Sequence, residues 1–333
     1  MSDILIIQTA FAGDLILTTP LIEETARCFQ GSRIDVLCIP STADLLANNP
    51  AVRDLIVYDK RNRKPGLFPL MNQIRKKKYT LCLSPHRSFR SAILARASGA
   101  PVRVAFDTAS GAFLYTATAT YRQNEHEAVR NLSLLRRAEC APVLDTSPRL
   151  YPSEHDAQSA AALLPDTGRP HVCVAPGSVW ATKRWTEEGF AAIVRHFAVA
   201  YTVVLIGGKE DHALCERIIT RSGAAAVNAA GALSLLGSAA MIRSAGVLIS
   251  NDSAPVHIAS AVGTPVVEIF GATVPAFGFT PVGVPFRIVE HNELECRPCG
   301  IHGGKECPIA TFVCMKDLRA ERVVDAAEEL LQV

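Results

Sequence analysis

Three loops of this chain carry side chains that could bind an anion or accept a proton, and the first lies near the N-terminus. It reads TAFAGDLILTTP over residues 9–20 and follows an apolar run. Gly13 lets the backbone turn sharply after a first strand, so that Asp14 lies at the start of the next helix. A carboxylate at that position can act as a general base. The alternative is that Asp14 only caps the helix.

The second loop, residues 176–190, follows the first apolar run of the second half and reads PGSVWATKRWTEEGF. Lys183 and Arg184 follow small hydroxyl residues, and Trp185 opens the next helix pattern. Adjacent cations of this kind suit a diphosphate whose charge increases as it departs from a sugar. A solvated basic turn with Trp185 in the core is the alternative. Because the loop lies at a strand end, the sequence favours the diphosphate site.

The third loop lies in ISNDSAPVHIASAVGTPVVEIFG, residues 249–271, which has the pattern of a β-α-β unit. Asp252 or Ser253 is expected to cap the helix, and His257 follows one turn later. In open parallel sheets, ligands bind beyond the carboxyl ends of the strands, and helix N-termini attract anions there. An ordinary capped helix with a hydrogen-bonded histidine is the alternative. Taken alone, this unit favours the ordinary helix.

Residues 60–78, KRNRKPGLFPLMNQIRKKK, contain two clusters of Lys and Arg around an apolar insert, and no carboxylate. This composition suits an acidic acceptor that is attached to a membrane. A solvated charged loop and helix is the alternative. The segment HRSFR, residues 86–90, adds positive charge after another predicted strand. The candidate acceptor-binding residues are Lys60, Arg61, Arg63, Lys64, Arg87 and Arg90.

Four of the 10 cysteines fall within residues 296–314, with His302 among them. The first pair has zinc-knuckle spacing and the second pair does not. A structural zinc, a disulfide and free thiols all remain open, and each would staple a loop without performing chemistry. The other six cysteines have apolar or helical neighbours, which is typical of reduced core thiols. The candidate metal ligands are Cys296, Cys299, Cys307 and Cys314.

The composition argues against several classes of protein. With 49% hydrophobic and 20% charged residues the chain is expected to be globular, and its net charge of +2 argues against nucleic-acid binding. Neither G-x-G-x-x-G nor G-x-x-x-x-G-K-[ST] occurs, which disfavours Rossmann oxidoreductases and P-loop enzymes. No apolar run is long enough to cross a membrane, and the N-terminus has the pattern of a strand, not of a signal peptide. A cytoplasmic location is therefore expected.

Short apolar strands alternate with helical patterns along the chain, which indicates the α/β class. Residues 141–170 contain five prolines and little strand pattern, and we predict a linker there. The expected domains are two doubly wound units at about 1–150 and 165–315. An amphipathic helix follows at 318–331, and the C-terminal segment 318–333 is expected to pack back on the first domain. The predicted strands are 4–8, 34–39, 54–58, 81–84, 172–175, 202–206, 247–249 and 266–270.

Three segments together resemble the ADP-heptose:lipopolysaccharide heptosyltransferases, a family of GT-B glycosyltransferases. They are GDLILTTP at 13–20, PGSVWATKRW at 176–185 and SNDSAPVHIASAVGTPVVEIFG at 250–271. The resemblance covers nearly the whole chain in order, and SPHRSFRSAILARASG at 84–99 looks most like lipopolysaccharide heptosyltransferase II. It implies a GT-B fold in which two Rossmann-like domains face a cleft. The N-terminal domain would bind the acceptor and the C-terminal domain the nucleotide sugar.

The resemblance also implies roles for individual residues. Asp14 would deprotonate the acceptor hydroxyl, Lys183 would contact the donor diphosphate, and Asp252 would hold the donor sugar. Ala254-Pro255 departs from the Gly-Leu that is more usual in the family. The implied donor-binding residues are Ser178, Lys183, Arg184, Glu210, Leu233, Asp252, Ser253, Ala254 and His257.

The implied activity is an inverting transfer of a heptose from ADP-heptose to the lipopolysaccharide inner core, as in heptosyltransferase II. No D-x-D sequence occurs, so no metal ion is implied at the diphosphate and no cofactor is required for catalysis. The acceptor would be lipid A–core at the inner membrane surface, with the enzyme cytoplasmic and peripherally attached to that membrane. Two alternatives remain: another GT-B nucleotide-sugar transferase for O-antigen or capsule, and a non-catalytic nucleotide-sugar-binding protein. The carboxylate of Asp14 argues against the second.

Overall fold

The computed structural model of the chain describes residues 3–62, 66–142, 145–291 and 293–332. The chain forms two units, Met1–Tyr151 and Pro152–Val333. The boundary lies inside the proline-rich segment that we predict to be a linker. The second unit begins earlier than predicted, because residues 154–161 form a helix that packs within that unit.

The first unit contains one sheet of parallel strands connected by helices. Its strands are β1 (Asp3–Ile7), β2 (Arg33–Cys38), β3 (Val52–Val57), β4 (Leu81–Ser84), β5 (Val102–Phe106) and β6 (Ala117–Ala119). Its helices are α1 (Ala12–Ile16), α2 (Thr19–Cys28), α3 (Pro40–Ala43), α4 (Leu67–Lys76), α5 (Phe89–Ala97) and α6 (Glu127–Ser133). The strand order β3-β2-β1-β4-β5-β6 is that of a doubly wound fold.

The second unit repeats this topology without a visible sequence repeat. Its strands are β7 (His171–Ala175), β8 (Thr202–Leu205), β9 (Val227–Asn228), β10 (Leu248–Asn251), β11 (Val266–Phe270) and β12 (Phe286–Glu290). Its helices are α7 (Glu154–Ala161), α8 (Glu187–Phe197), α9 (His212–Ser222), α10 (Leu235–Arg243), α11 (Ala254–Val262), α12 (Val313–Lys316) and α13 (Ala320–Leu331). The parallel sheet has the order β12-β11-β10-β7-β8-β9, which is the order of the first unit read from the other edge.

The predicted α/β class and the two doubly wound sheets are confirmed. The continuous apolar runs form β1, β7 and β11, which are buried along their whole length. Strands β5, β6, β9 and β12 were not predicted, and they include strands that are short or partly exposed. None of the helices in the described ranges combines the length and the apolar composition that crossing a bilayer requires.

The candidate residues follow the strands on either side of the point where the strand order reverses. In the first unit, β1 leads to the loop with Asp14 and β4 to the loop with Arg87. In the second unit, β7 leads to Lys183 and β10 to Asp252. Neighbouring parallel strands end at the same edge of a sheet, so each pair of loops lies together.

The C-terminal helix α13 packs within the second unit, against α8, β11 and β12. Its buried residues Val323, Ala327 and Leu330 recur every three or four positions, as the amphipathic pattern predicts. We expected these residues to pack on the first domain, and the structure corrects that neighbour. An apolar stripe shows which face of a helix is buried but does not specify the surface that covers it.

A disulfide joins Cys28, at the end of α2, to Cys140, after α6, with 6.1 Å between the Cα atoms. This corrects the prediction that all six cysteines outside residues 296–314 are reduced. The two positions are 112 residues apart, so no local spacing in the sequence indicates the pair. The remaining four are free and buried, as predicted: Cys38, Cys82, Cys173 and Cys215.

Candidate functional site

Asp14 lies in the first turn of α1. The N-cap of this helix is Phe11, whose backbone N–H donates a hydrogen bond to the Asp14 carboxylate. Asp14 is therefore not the cap itself. Burial and, to a lesser extent, the charge of Glu127 raise the pKa of Asp14, two backbone N–H groups and Arg87 oppose the shift, and the resulting pKa is about 6. A carboxyl with this pKa is ionised at neutral pH and can accept a proton from a hydroxyl.

The pKa of Asp14 depends on a polar cluster that the sequence analysis missed. Glu127 and Arg130 are buried and form an ion pair of 2.9 Å. Tyr121 donates to Glu127 over 3.1 Å, and the Arg87 guanidinium lies 3.9 Å from the centre of the Tyr121 ring. The spacing of Glu127 and Arg130, three residues apart on one helix, is the signal in the sequence that points to this cluster.

Three of the candidate acceptor-binding residues are close enough to influence the titration of the site. The pKa of Lys60 is lowered by burial and by the charge of Arg90, and Asp14 opposes this effect. Burial, Lys60 and Arg87 lower the pKa of His86 to about 4, so this imidazole is neutral at pH 7. Lys60 and Arg87 therefore interact with the Asp14 carboxylate, and Arg90 lies close to Lys60.

The other cations of residues 60–78 differ in whether they are paired with a carboxylate. Arg61 is exposed in a turn before α4. Lys77, after α4, forms an ion pair of 2.6 Å with Asp54, so its charge is neutralised locally. Part of the positive charge of residues 60–78 is therefore paired within the first unit, and the acceptor-binding role of this stretch stays a prediction. Arg63 and Lys64 lie outside the described residues.

In the second unit, Lys183 and Asp252 form an ion pair. Lys183 ends the 3-10 turn Ala181–Lys183 beyond β7, and its Nζ lies 2.7 Å from Oδ2 of Asp252. Only 14% of the lysine side chain and 8% of the aspartate side chain are exposed. Thr273 donates a hydrogen bond of 2.5 Å to the same carboxylate oxygen. Lys183 and Asp252 are both candidate donor-binding residues from the sequence, but their pairing was not predicted. Thr273, which follows β11, belongs to no recognisable motif and was not among the candidates.

Asn251, at the end of β10, connects the Asp252 loop that follows it to the loop after β7 that carries Lys183. We call these two segments the donor loops. Its side-chain amide donates to the carbonyl of Pro176 over 2.8 Å, and its oxygen accepts from the backbone N–H of Trp185 over 3.0 Å. The side chain is fully buried. One amide therefore spans the loop that carries Lys183 and determines where that loop lies relative to Asp252.

Helix α11 begins after Ser253, but the Ser253 side chain makes no cap hydrogen bond. Its hydroxyl lies 3.4 Å from the carbonyl of Gly177 instead. This corrects the prediction that Asp252 or Ser253 caps the helix. Ala254 is the first residue of α11, and His257 lies one turn later with 5% of its surface exposed. A helix N-terminus without a side-chain cap favours an anion.

The candidate nucleotide-binding residues are only partly grouped. Arg184 donates a hydrogen bond of 2.7 Å to the carbonyl of Ser178. Arg184 and Glu210 line a cavity of about 330 Å³ together with Trp185. Leu233 does not line this cavity, and it lies just before α10. The structure therefore brings three of these four candidates together.

Glu268 on β11 is a buried acid that the sequence analysis did not consider. It is fully buried, and neither carboxyl oxygen has a hydrogen-bond partner among the described residues. Burial and the charge of Asp252 raise the pKa of Glu268 well above its ordinary value, while Lys183 opposes the shift. Burial without a hydrogen-bond partner therefore favours the protonated form of Glu268 beside the charged pair.

The four cysteines at 296–314 are free thiols in the structure. Cys314 is buried in the core of the second unit, whereas the other three are half-exposed. Throughout the described ranges, no three His, Cys, Asp or Glu side chains are arranged to hold a metal ion. The disulfide alternative is therefore not present in the structure, and a structural zinc at Cys296, Cys299, Cys307 and Cys314 stays a prediction.

Comparisons with known proteins agree with this architecture. The sequence pattern of glycosyltransferase family 9 (heptosyltransferase) matches residues 67–308. Lipopolysaccharide heptosyltransferase 3 of Escherichia coli is 29% identical over 284 residues, which cover 79% of this chain and 82% of that protein. A glycosyl transferase family 9 structure from Veillonella parvula superposes with a TM-score of 0.84 at 24% identity, over 99% and 97% of the two chains. E. coli ADP-heptose lipopolysaccharide heptosyltransferase II superposes with a TM-score of 0.82 at 22% identity, over 100% and 99%.

At these identities the superpositions establish the fold, so the predicted GT-B fold is confirmed. The family match begins at the start of α4 and includes both donor loops, while Asp14 precedes it. It spans well over half of the chain and confirms the resemblance to the heptosyltransferases. The chain belongs to glycosyltransferase family 9, the heptosyltransferase family, and is a glycosyltransferase.

Proposed function

We propose that this glycosyltransferase moves a heptose from ADP-heptose to the lipopolysaccharide inner core with inversion, in the manner of heptosyltransferase II. The observation that carries the proposal is the Lys183–Asp252 ion pair, which lies next to the uncapped N-terminus of α11. A cation, a carboxylate and a helix N-terminus together provide partners for a diphosphate and for the hydroxyls of a sugar.

When the donor binds, its contacts with the protein would replace part of the Lys183–Asp252 ion pair. Its diphosphate would compete with Asp252 for Lys183, and the N-terminus of α11 at Ser253 and Ala254 would receive the second phosphate. Asp252 would then accept hydrogen bonds from the donor sugar while it keeps the bond from Thr273. The nucleoside would extend towards the cavity beside Arg184, with Ser178, Glu210, Leu233 and His257 as the remaining contacts.

Asp14 would act as the general base. It would take the proton of the acceptor hydroxyl while the oxygen bonds to the anomeric carbon and the bond from that carbon to the diphosphate oxygen breaks. A pKa of about 6 keeps Asp14 ionised at pH 7 and makes it a stronger base than an exposed aspartate. Lys183, Arg184 and the α11 N-terminus would stabilise the departing ADP, so no metal ion or other cofactor is needed for this step.

The acceptor would be a lipid A–core molecule, bound by the cations near Asp14. Lys60, Arg87 and Arg90 lie there, Arg61 is close in sequence, and Arg63 and Lys64 are included by the resemblance. Two exposed aromatic side chains of the same unit, Phe68 and Phe113, are 74% and 81% exposed. Large exposed apolar groups beside cations suit the surface of an anionic bilayer, so we propose a cytoplasmic enzyme held at the inner membrane.

The identity of the acceptor separates this proposal from a second one. The similarity to heptosyltransferase 3 of Escherichia coli extends over 79% of this chain, which favours an acceptor that already carries more heptose as the alternative. The chemistry at Asp14 and Lys183 would be the same in both cases.

Purified protein incubated with a panel of nucleotide sugars and lipid A–core acceptors tests the proposal. The acceptors carry no, one or two heptose residues, and the products are identified by mass. We expect transfer from ADP-heptose to the acceptor with one heptose, and much slower transfer by the Asp14→Asn variant. Transfer only to the acceptor with two heptoses would support the second candidate. Transfer from a different nucleotide sugar would refute the proposed donor, and so would the absence of transfer from every nucleotide sugar in the panel.

A further inference from the structure

The segment that contains three of the free cysteines contacts the chain next to Lys183 and next to Thr273. We define the cysteine segment as residues 293–312, between β12 and α12. Gly304 donates from its backbone N–H to the Thr182 hydroxyl over 2.7 Å, and Thr182 donates from its own N–H to the Gly304 carbonyl over 3.1 Å. The backbone N–H of Cys299 donates to the carbonyl of Ala272 over 2.8 Å. Thr182 precedes Lys183 of the ion pair, and Ala272 precedes Thr273, which donates a hydrogen bond to Asp252 of that pair.

Arg297 is the most heavily bonded side chain of this segment. Only 4% of it is exposed. Its guanidinium donates to the carbonyls of Gly271, Thr273 and His291, and it pairs with the Glu290 carboxylate at 2.7 Å. A buried guanidinium holds a rigid fork of donors, so it fixes the positions of all the oxygens that it contacts.

A continuous chain of contacts leads from Arg297 to the donor-binding cation. Arg297 holds the Thr273 carbonyl over 2.7 Å. The Thr273 hydroxyl donates to Oδ2 of Asp252, and this same oxygen lies 2.7 Å from the Nζ of Lys183. The position of the Lys183–Asp252 pair therefore depends on a backbone segment that Arg297 holds in place.

We propose that Arg297 is a positioning residue for the donor site, and that it acts through Thr273 on Asp252 and Lys183. The inference rests on the proposed function, because it assumes that Lys183 and Asp252 bind the donor. Without the guanidinium, the carbonyls of residues 271 and 273 lose their common donor. The Thr273 hydroxyl is then no longer aimed at Asp252, and the ion pair loses the geometry that receives a diphosphate.

A purely structural role for Arg297 makes different predictions. It would lower the melting temperature and the fraction of active protein, and it would leave the affinity of the active fraction unchanged. Arg322 offers a matched control, because its guanidinium donates to the Glu290 carbonyl at an exposed position. It shares a partner residue with Arg297 and has no hydrogen bond to residues 271–273.

Calorimetric titration of ADP into the full chain tests the proposal. The variants are Arg297→Lys, Thr273→Val, their combination, and the controls Thr273→Ser and Arg322→Lys. Lysine keeps the charge but cannot hold all of these oxygens at once. We expect about tenfold weaker binding for Arg297→Lys and for Thr273→Val, and about the same tenfold for the double variant, because both act on one chain of contacts. Arg322→Lys should bind ADP as the wild type does, and Thr273→Ser, which keeps the hydroxyl, should recover most of the affinity that Thr273→Val loses.

The outcomes separate this inference from the proposed function. If the wild type does not bind ADP, the proposed donor fails and the inference fails with it. If the wild type binds ADP and Arg297→Lys binds it equally well, only the inference is overturned. Additive effects of Arg297→Lys and Thr273→Val would also overturn it, since they would show that the two residues act independently. If Arg297→Lys does not fold, a wild-type affinity of Thr273→Val for ADP is sufficient by itself to overturn the inference.

Discussion

Replacing Asp14 by asparagine tests the catalytic assignment while it leaves the local structure in place. The asparagine oxygen can still accept the hydrogen bond from Phe11 that closes the first turn of α1. The variant loses only the ability to take a proton. A positioned general base contributes on the order of 10²–10⁴ in rate, so kcat should fall by that factor. The affinity for ADP should not change, because the proposed donor contacts belong to the second unit.

The pH dependence of the rate tests the role of Asp14 independently of the fall in kcat. The pKa of Asp14 is about 6 against an ordinary 3.8, so the rate should fall as the pH drops below about 6. Removing the charge of Glu127, which raises this pKa, should move that limb to lower pH. Glu125→Gln is the matched control, because Glu125 pairs with Arg122 at the surface with the same three-residue spacing.

Folding stability distinguishes lost chemistry from misfolding. A carboxyl whose folded pKa is raised contributes stability below its unfolded pKa of 3.8, and this contribution is lost as the pH rises through about 6. Asp14→Asn should therefore unfold at a higher temperature than the wild type at pH 8, and the two should differ less at pH 4. The steady-state rate, the pH profile and the melting curve together form the assay. A near-normal kcat, or an acid limb that Glu127→Gln does not move, would refute the reasoning.

Four further predictions concern the rest of the molecule. Lys183→Ala should weaken ADP binding tenfold or more, since a charge-assisted hydrogen bond is lost; unchanged binding by calorimetry would contradict the donor site. Lys60→Ala with Arg61→Ala should raise the acceptor KM and reduce sedimentation with anionic vesicles, at an unchanged donor KM; an unaltered acceptor KM would favour the solvated-surface interpretation. Cys28→Ser should lower the melting temperature and abolish its dependence on reductant, because a crosslink over 112 residues contributes up to about 5 kcal/mol in the chain-entropy model; no change would show that the disulfide does not stabilise the fold. Glu268→Gln should stabilise the protein above the ordinary carboxyl pKa of 4.5 and have little effect below it, since the raised pKa makes ionisation on unfolding favourable; equal melting curves at pH 8 would contradict this.

The sequence was sufficient for the fold because both units are built from continuous apolar strands. Fully buried strands such as β1 and β11 need no alternation, and their runs stand out. It was insufficient at α7, which lies in the proline-rich segment. Ser153 and Asp156 form a capping box there, a signal that was present in the sequence and that the prolines outweighed. Such a conflict between composition and local motif is resolved only by packing, in this case against α10.

The candidate site was predicted where a motif follows a strand and missed where a partner comes from elsewhere in the chain. Lys183 and Asp252 follow β7 and β10, and strand ends are where ligands bind in parallel sheets. Thr273 and Arg297 were missed because their role is to orient other groups, and neither carries a local pattern. Asn251 is an intermediate case, since its neighbours were quoted but its role in joining two loops depends on the tertiary structure.

The arrangement of charges at the donor site predicts which ligand binds more tightly. Lys183 is the only cation that the structure pairs with Asp252 within the described ranges, and burial raises the pKa of the nearby Glu268 well above its ordinary value. An ionised Glu268 would add a second negative charge beside a site that must receive a diphosphate. When the diphosphate draws Lys183 away, Asp252 keeps the hydrogen bond from Thr273 and gains donors only from the sugar hydroxyls. A nucleoside diphosphate without the sugar would leave this buried carboxylate partly unsatisfied, which is costly in a site of low exposure. We therefore expect the intact sugar nucleotide to bind more tightly than ADP, and Thr273→Val to increase that difference, because the sugar hydroxyls then remain as donors to Asp252 in one complex and are missing in the other.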